Sequence, residues 1–317
     1  MGTFIKTRVP QARKSLRITE HTGETWGVDC SCLLYRARGV SLSALTVIAG
    51  LVVRLRKANI KPIFIFDGKT PAAKADLVDK RRVARVAAQK EIEEIRTELT
   101  DKSIDHTELE KADLEQRCAS LQKKAPTVST GERDEIKTFL YAAGILFITA
   151  WEEADDVLAY LCRTGEIQAV ISADMDMLAR GVPNLIVPET DDATVLTEIS
   201  LNLLLTGLGL SYRQFVDACM LMGSDYTAKG WRTMDPRSAV EVARRGVNWV
   251  DMSGSAFPVF QQGISLLMGT DVTWNAIVGE KQRAKWCLGV PPKEPELLDK
   301  FATENGWPKD WKTSLML

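Results

Sequence analysis

Pro62-Ile63-Phe64-Ile65-Phe66-Asp67-Gly68 is an apolar run that stops abruptly at an acid and a glycine. β-Branched and aromatic residues without polar alternation describe a strand buried on both faces. Thr25-Trp26-Gly27-Val28-Asp29 has the same form and also ends in an acid. Further strands are expected at Ile145–Ile148, Gln168–Ser172 and Asn184–Val187, with helical spacing over Leu42–Lys57 and Ala154–Cys162. This alternation implies an α/β fold: a mostly parallel central sheet with helices on both faces. Ligands of such sheets bind beyond the carboxyl ends of the strands.

The chain has 317 residues, with 41 Lys+Arg against 42 Asp+Glu and a net charge of −1. Hydrophobic residues at 45% and charged residues at 26% exclude a disordered or fibrous chain. The longest apolar stretch, Leu42–Val53, ends at Arg54 and is too short to span a bilayer. Lys6, Arg8, Arg13, Lys14 and Arg17 precede no apolar segment of the kind a secretory leader needs. A soluble intracellular protein without membrane contact is expected. Six cysteines lie at 30, 32, 118, 162, 219 and 287, without a CxxC pair, and His21 and His106 are the only histidines. Neither a zinc site nor imidazole catalysis fits that inventory. Cys30 and Cys32 are expected to alternate at a strand end as small buried hydrophobes. Chemistry must therefore run on carboxylates, lysines or bound metal.

The near-zero net charge hides basic clusters. Besides residues 1–19, Lys69, Lys74, Lys80, Arg81, Arg82, Arg85 and Lys90 crowd one segment, and Lys229, Arg232, Arg237, Arg244 and Arg245 another. Clustered Lys/Arg suit a polyanion, although any one run also suits a solvated helix face. Residues 76–124 lack Gly and Pro and are rich in Ala, Glu, Lys, Arg and Leu. They are expected to form two long helices, 76–99 and 108–123, a hairpin projecting from the sheet.

The acids fall where a ligand would bind. Asp29 and Asp67 end strands, Glu153 and Asp155 follow Ile145–Ile148, Asp174 and Asp176 follow Gln168–Ser172, and Asp225 follows an apolar helix. Any one could be a helix cap. Acids after four separate strands are not explained that way, and their mutual repulsion is relieved by divalent cations. Oxygen-only ligands suit Mg²⁺ or Mn²⁺, and two such ions roughly 3.5–4 Å apart can promote phosphodiester hydrolysis.

Five stretches in order carry a resemblance: Gly27-Val28-Asp29-Cys30-Ser31 with Tyr35, Phe64 to Pro71, Ala150 to Asp155, Ser172 to Asp176, and Leu221 to Tyr226. Over residues 1–245 the chain resembles the flap endonuclease family, structure-specific 5′ nucleases related to XPG with a PIN-like core. The resemblance implies a Mg²⁺-dependent 5′ flap endonuclease and 5′→3′ exonuclease of DNA replication and repair, acting as a monomer on DNA with a 5′ flap or single-strand/duplex junction. It implies two Mg²⁺, replaceable by Mn²⁺, on Asp29, Asp67, Glu153, Asp155, Asp174, Asp176 and Asp225. Lys74 and Arg81 match the pair at the base of the helical arch that contacts the scissile phosphate, with Asp174 counted beside them as catalytic. Tyr35 matches an aromatic that stacks on an unpaired base, and Gly2 an N-terminal glycine near the site. Arg82, Arg85, Lys229, Arg232 and Arg237 are the remaining expected DNA contacts.

The implied organisation is a nuclease core over 1–228 with the arch at about 74–130. A helix–two-turn–helix follows over 229–250, then a helical extension packing on the core over 251–317. The chain departs from the family at three places. Asp155 stands where a glutamate is usual, Asp235 replaces the second glycine of the duplex-gripping turn, and no sliding-clamp box is recognisable. A junction or bubble nuclease, or a non-catalytic nucleic-acid-binding scaffold, are the rival readings.

Overall fold

The computed structural model describes residues 2–40, 42–70, 75–101, 107–224, 232–253, 257–268 and 293–316. Its centre is a seven-stranded sheet: β1 (Arg13–Ser15), β2 (Thr25–Asp29), β3 (Lys61–Phe66), β4 (Phe147–Thr149), β5 (Ala169–Ile171), β6 (Asn184–Pro188) and β7 (Leu196–Ser200). The order is β1-β7-β6-β5-β2-β3-β4. Strands β6, β5, β2, β3 and β4 run parallel to one another, while β7 lies antiparallel to both β6 and β1.

Strand alternation builds two cores. Trp26, Val28, Phe64, Phe66 and Ile171 enter one, Ile65, Val170 and Leu185 the other. On the first face pack α2 (Cys30–Gly39), α3 (Ala44–Lys57) and α6 (Thr130–Ala142). On the second lie α1 (Gly2–Arg8), α7 (Ala154–Arg163), α8 (Asp176–Ala179), α9 (Leu201–Leu208) and α10 (Tyr212–Met222), with α11 (Pro236–Arg245), α12 (Trp249–Ser253) and α13 (Phe257–Met268). Gly27 lets α7 approach β2, since a Cβ there would lie 2.5 Å from the Leu158 side chain. At the C-terminal end α14 (Pro295–Glu304) and α15 (Lys309–Met316) pack on the first face, Trp307 against Phe139 and Trp311 against Gly50.

The helical hairpin is α4 (Ala75–Thr100) and α5 (Glu108–Lys124). They pack together, and Arg117 pairs with Glu91 across them. A Thr107/Glu110 capping box starts α5. No described helix is long and apolar enough to cross a membrane.

Two sequence expectations change and two strands are added. Cys30 and Cys32 lie not in a strand but in the first turn of α2, because Asp29 closes β2 and caps the helix in one step. The strand expected at Ile145–Ile148 begins two residues later, since the Ile145 N–H bonds back to Leu140 at the end of α6. Strands β1 and β7 were not expected at all.

Candidate active site

The site is assembled by the order β5-β2-β3-β4, which places four parallel carboxyl ends side by side. Asp29 is the last residue of β2 and the N-cap of α2, accepting from the Cys32 N–H at 3.0 Å. Ser172, just past β5, donates its hydroxyl to the other Asp29 oxygen at 2.8 Å. Asp67, just past β3, accepts from the Ser31 hydroxyl and from the Ala154 N–H at 2.9 Å. Glu153 is the N-cap residue of α7, and Asp155 lies in its first turn. The Asp174 carboxylate accepts from the Asp176 N–H at 2.8 Å.

Asp29, Asp67, Glu152, Glu153, Asp155 and Asp174 line one cleft of about 760 Å³. Tyr35 and Arg36 of α2, Arg81 and Arg85 of α4, Lys124 of α5 and Arg133 of α6 line it as well, with Lys69. An acidic set from strand ends thus faces a basic set from helices. Arg133 donates to the Tyr35 hydroxyl at 3.4 Å. Burial, then the neighbouring charge of Asp67, pushes Asp29 up to about 7 despite the bonds from Cys32 and Ser172. Asp155 is raised by desolvation and by Asp29, Asp174 and Glu153, against the opposing pull of Arg180. The cleft cysteine is inert: burial lifts Cys32 to about 12.

Arg180 was not anticipated from the sequence. It is 1% exposed, and its guanidinium is bonded to Asp156 and, at 3.3 Å, to Glu153. The signal available was a lone arginine closing the apolar run Met177-Leu178-Ala179.

Asp176 opens α8 outside the cleft lining, where its charge bears on Cys219 of α10. Arg82 pairs with Asp79 at 3.2 Å and does not line the cleft. Gly2 begins α1, and Arg232 and Arg237 are exposed away from the cleft. Asp235 caps α11, accepting from the Arg237 and Ser238 N–H groups. Lys74, Asp225 and Lys229 lie outside the described residues.

Among the described residues no three Asp, Glu, His or Cys side chains are already gathered around one ion position. Asp29 and Asp67 are instead held by hydroxyl and N–H groups, Asp174 by an N–H and Glu153 by Arg180. The donor set still fits Mg²⁺ or Mn²⁺: hard oxygen ligands, crowded enough that Asp29 resists ionising.

Residues 3–88 match the XPG N-terminal domain and residues 144–225 the XPG I-region, together more than half of the chain. Flap endonuclease 1 of Scheffersomyces stipitis is 27% identical over 98% of this chain and 84% of its own length. The human flap endonuclease 1 is 28% identical over 77% of this chain, which spans 65% of that relative. The catalytic core of Rad2 in complex with DNA substrate superposes with a TM-score of 0.63 at 18% identity, covering 99% of this chain and 98% of that one. The Holliday junction-resolving enzyme GEN1, in complex with product DNA and Mg²⁺, does so at 0.59 and 16% identity, covering 95% and 72%.

Proposed function

Because the chain belongs to the XPG family of nucleases, we propose that it is a Mg²⁺-dependent 5′ flap endonuclease with 5′→3′ exonuclease activity, serving DNA replication and repair. The observation that carries this reading is the convergence of acids from four adjacent strand ends on a cleft that also takes Arg81 and Arg85 from the helical hairpin. The cleft acids Asp29, Asp67, Glu153, Asp155 and Asp174, with Asp176 and Asp225, would hold the ions. Mg²⁺ bound there supplies Lewis acidity and neutralises charge on the phosphate.

The chain's own residues perform the rest. Arg81 and Arg85 are one helical turn apart and reach the same cleft, so their guanidinium groups draw a phosphate toward the acids. Lys74 would add a mobile point charge. Lys124 and Arg133 extend the basic wall, and Arg133 steadies Tyr35 for contact with an unpaired base. Ser31 and Ser172 hold Asp67 and Asp29 in fixed directions, which preorganises the ligand set. The helix–two-turn–helix over 229–250 would grip duplex through Lys229, Arg232 and Arg237.

The test is a 5′-flap duplex labelled at the flap end, incubated with Mg²⁺ and with EDTA, beside a four-way junction and a blunt duplex. Mg²⁺-dependent release at or next to the flap junction supports the reading. Cleavage confined to the four-way junction would replace it with a junction resolvase, and no cleavage of any substrate would refute it.

A further inference from the structure

The connection between β4 and α7 presents Trp151 to solvent at 62% exposure, although its neighbours Glu152 and Glu153 line the carboxylate cleft. Its position is set by backbone. The Lys69 N–H donates to the Trp151 carbonyl at 2.9 Å and the Gly68 N–H to the Glu152 carbonyl at 2.7 Å. Gly68 permits this approach, since a Cβ there would collide with the carbonyls of Ala150 and Trp151. The Lys69 ammonium stands 4.8 Å from the Trp151 ring centre, within cation–π range. Gly68 and Lys69 also line the cleft.

A large aromatic fixed by its backbone, half surrounded by water and next to a basic cleft has a surface that the fold itself does not use. We propose that Trp151 and Lys69 form a stacking subsite for an unpaired nucleobase of the strand whose phosphate enters the cleft. This rests on the nuclease reading above and adds a contact to it. Every base offers a π-face to an indole, so the subsite is indifferent to sequence. Lys69 complements it with positive charge for the adjoining phosphate, which a hydrophobic protein partner would not require.

The test is equilibrium binding in EDTA, where no cleavage occurs, of a 5′-flap duplex and of the same duplex with abasic residues in place of the unpaired bases. Trp151→Ala is expected to weaken binding of the complete flap about tenfold and to leave the abasic flap unchanged, with Trp151→Phe retaining most of the affinity. Unchanged melting temperatures exclude a folding defect. Equal weakening on both substrates, or none on either, would overturn the subsite while leaving the nuclease reading intact. Wild-type protein that binds neither flap would overturn both.

Discussion

The Arg180 guanidinium lies 3.3 Å from the Glu153 carboxylate and is bonded at its other nitrogen to Asp156. Arg180 directly follows α8 and both acids belong to the start of α7, so one buried cation ties together two strand-end connections that build the cleft. Removing it takes a directly bonded cation away from Asp156, which is buried. Arg180→Met is expected to cost about 3–5 kcal/mol in chemical denaturation. The double variant Arg180→Met/Asp156→Leu should recover most of that loss, because it replaces the pair with apolar volume. Glu153 then lacks its anchor, and the Mg²⁺ concentration for half-maximal cleavage should rise. A double variant as unstable as the single one would show that the pair does not act as a unit.

Arg81 and Arg82 separate cleft from surface within two adjacent residues. Arg81→Ala should weaken DNA binding and flatten the slope of log K against log salt by about one. Arg82→Ala, which loses only an exposed pair with Asp79, should change neither measurably.

The crowding of Asp29 sets a pH dependence. Its carboxyl titrates near 7 when folded against about 3.9 when unfolded. The stability it contributes is therefore fully present below about pH 4 and lost as pH rises through about 7. Metal-free protein should melt higher at pH 5 than at pH 8, and Asp29→Asn should flatten that difference and raise the melting temperature at pH 8. Mg²⁺ should raise the wild-type melting temperature more at pH 8 than at pH 5, since protons and cations compete for the same oxygens.

Asp235 explains itself locally. Its carboxylate accepts from two N–H groups at the start of α11, and the Ser238 hydroxyl, then those N–H groups, hold its pKa below the usual carboxylate value. Asp235→Ala should lower the melting temperature by removing the cap. Asp235→Asn, which can still accept those bonds, should lower it less.

Much of this architecture is written in local pattern. The runs at Thr25–Asp29, Pro62–Phe66 and Asn184–Val187 are continuous because those strands are covered on both faces, and Asp29 and Asp67, which close the first two, mark the cleft. The hairpin helices show in an unbroken stretch of helix formers. Strand β7 was illegible because it carries Thr197 and Glu198, polar residues that are nonetheless buried. Glu198 is matched by Lys14 at 3.1 Å and His21 at 3.3 Å, partners that only the tertiary fold supplies. Strand β1 is three polar residues long and exists through its pairing with β7. Arg180 was hidden for the same reason: its meaning lies in Glu153 and Asp156, more than twenty residues away in sequence.

The most direct measurement is cleavage and binding of the labelled 5′-flap duplex by Asp174→Ala beside wild type. Asp174 lines the cleft as a carboxylate and contributes no positive charge to phosphate binding. The expected result is loss of Mg²⁺-dependent cleavage with DNA affinity kept within several-fold. Cleavage at the wild-type rate would contradict the assignment of the strand-end acids as the active site.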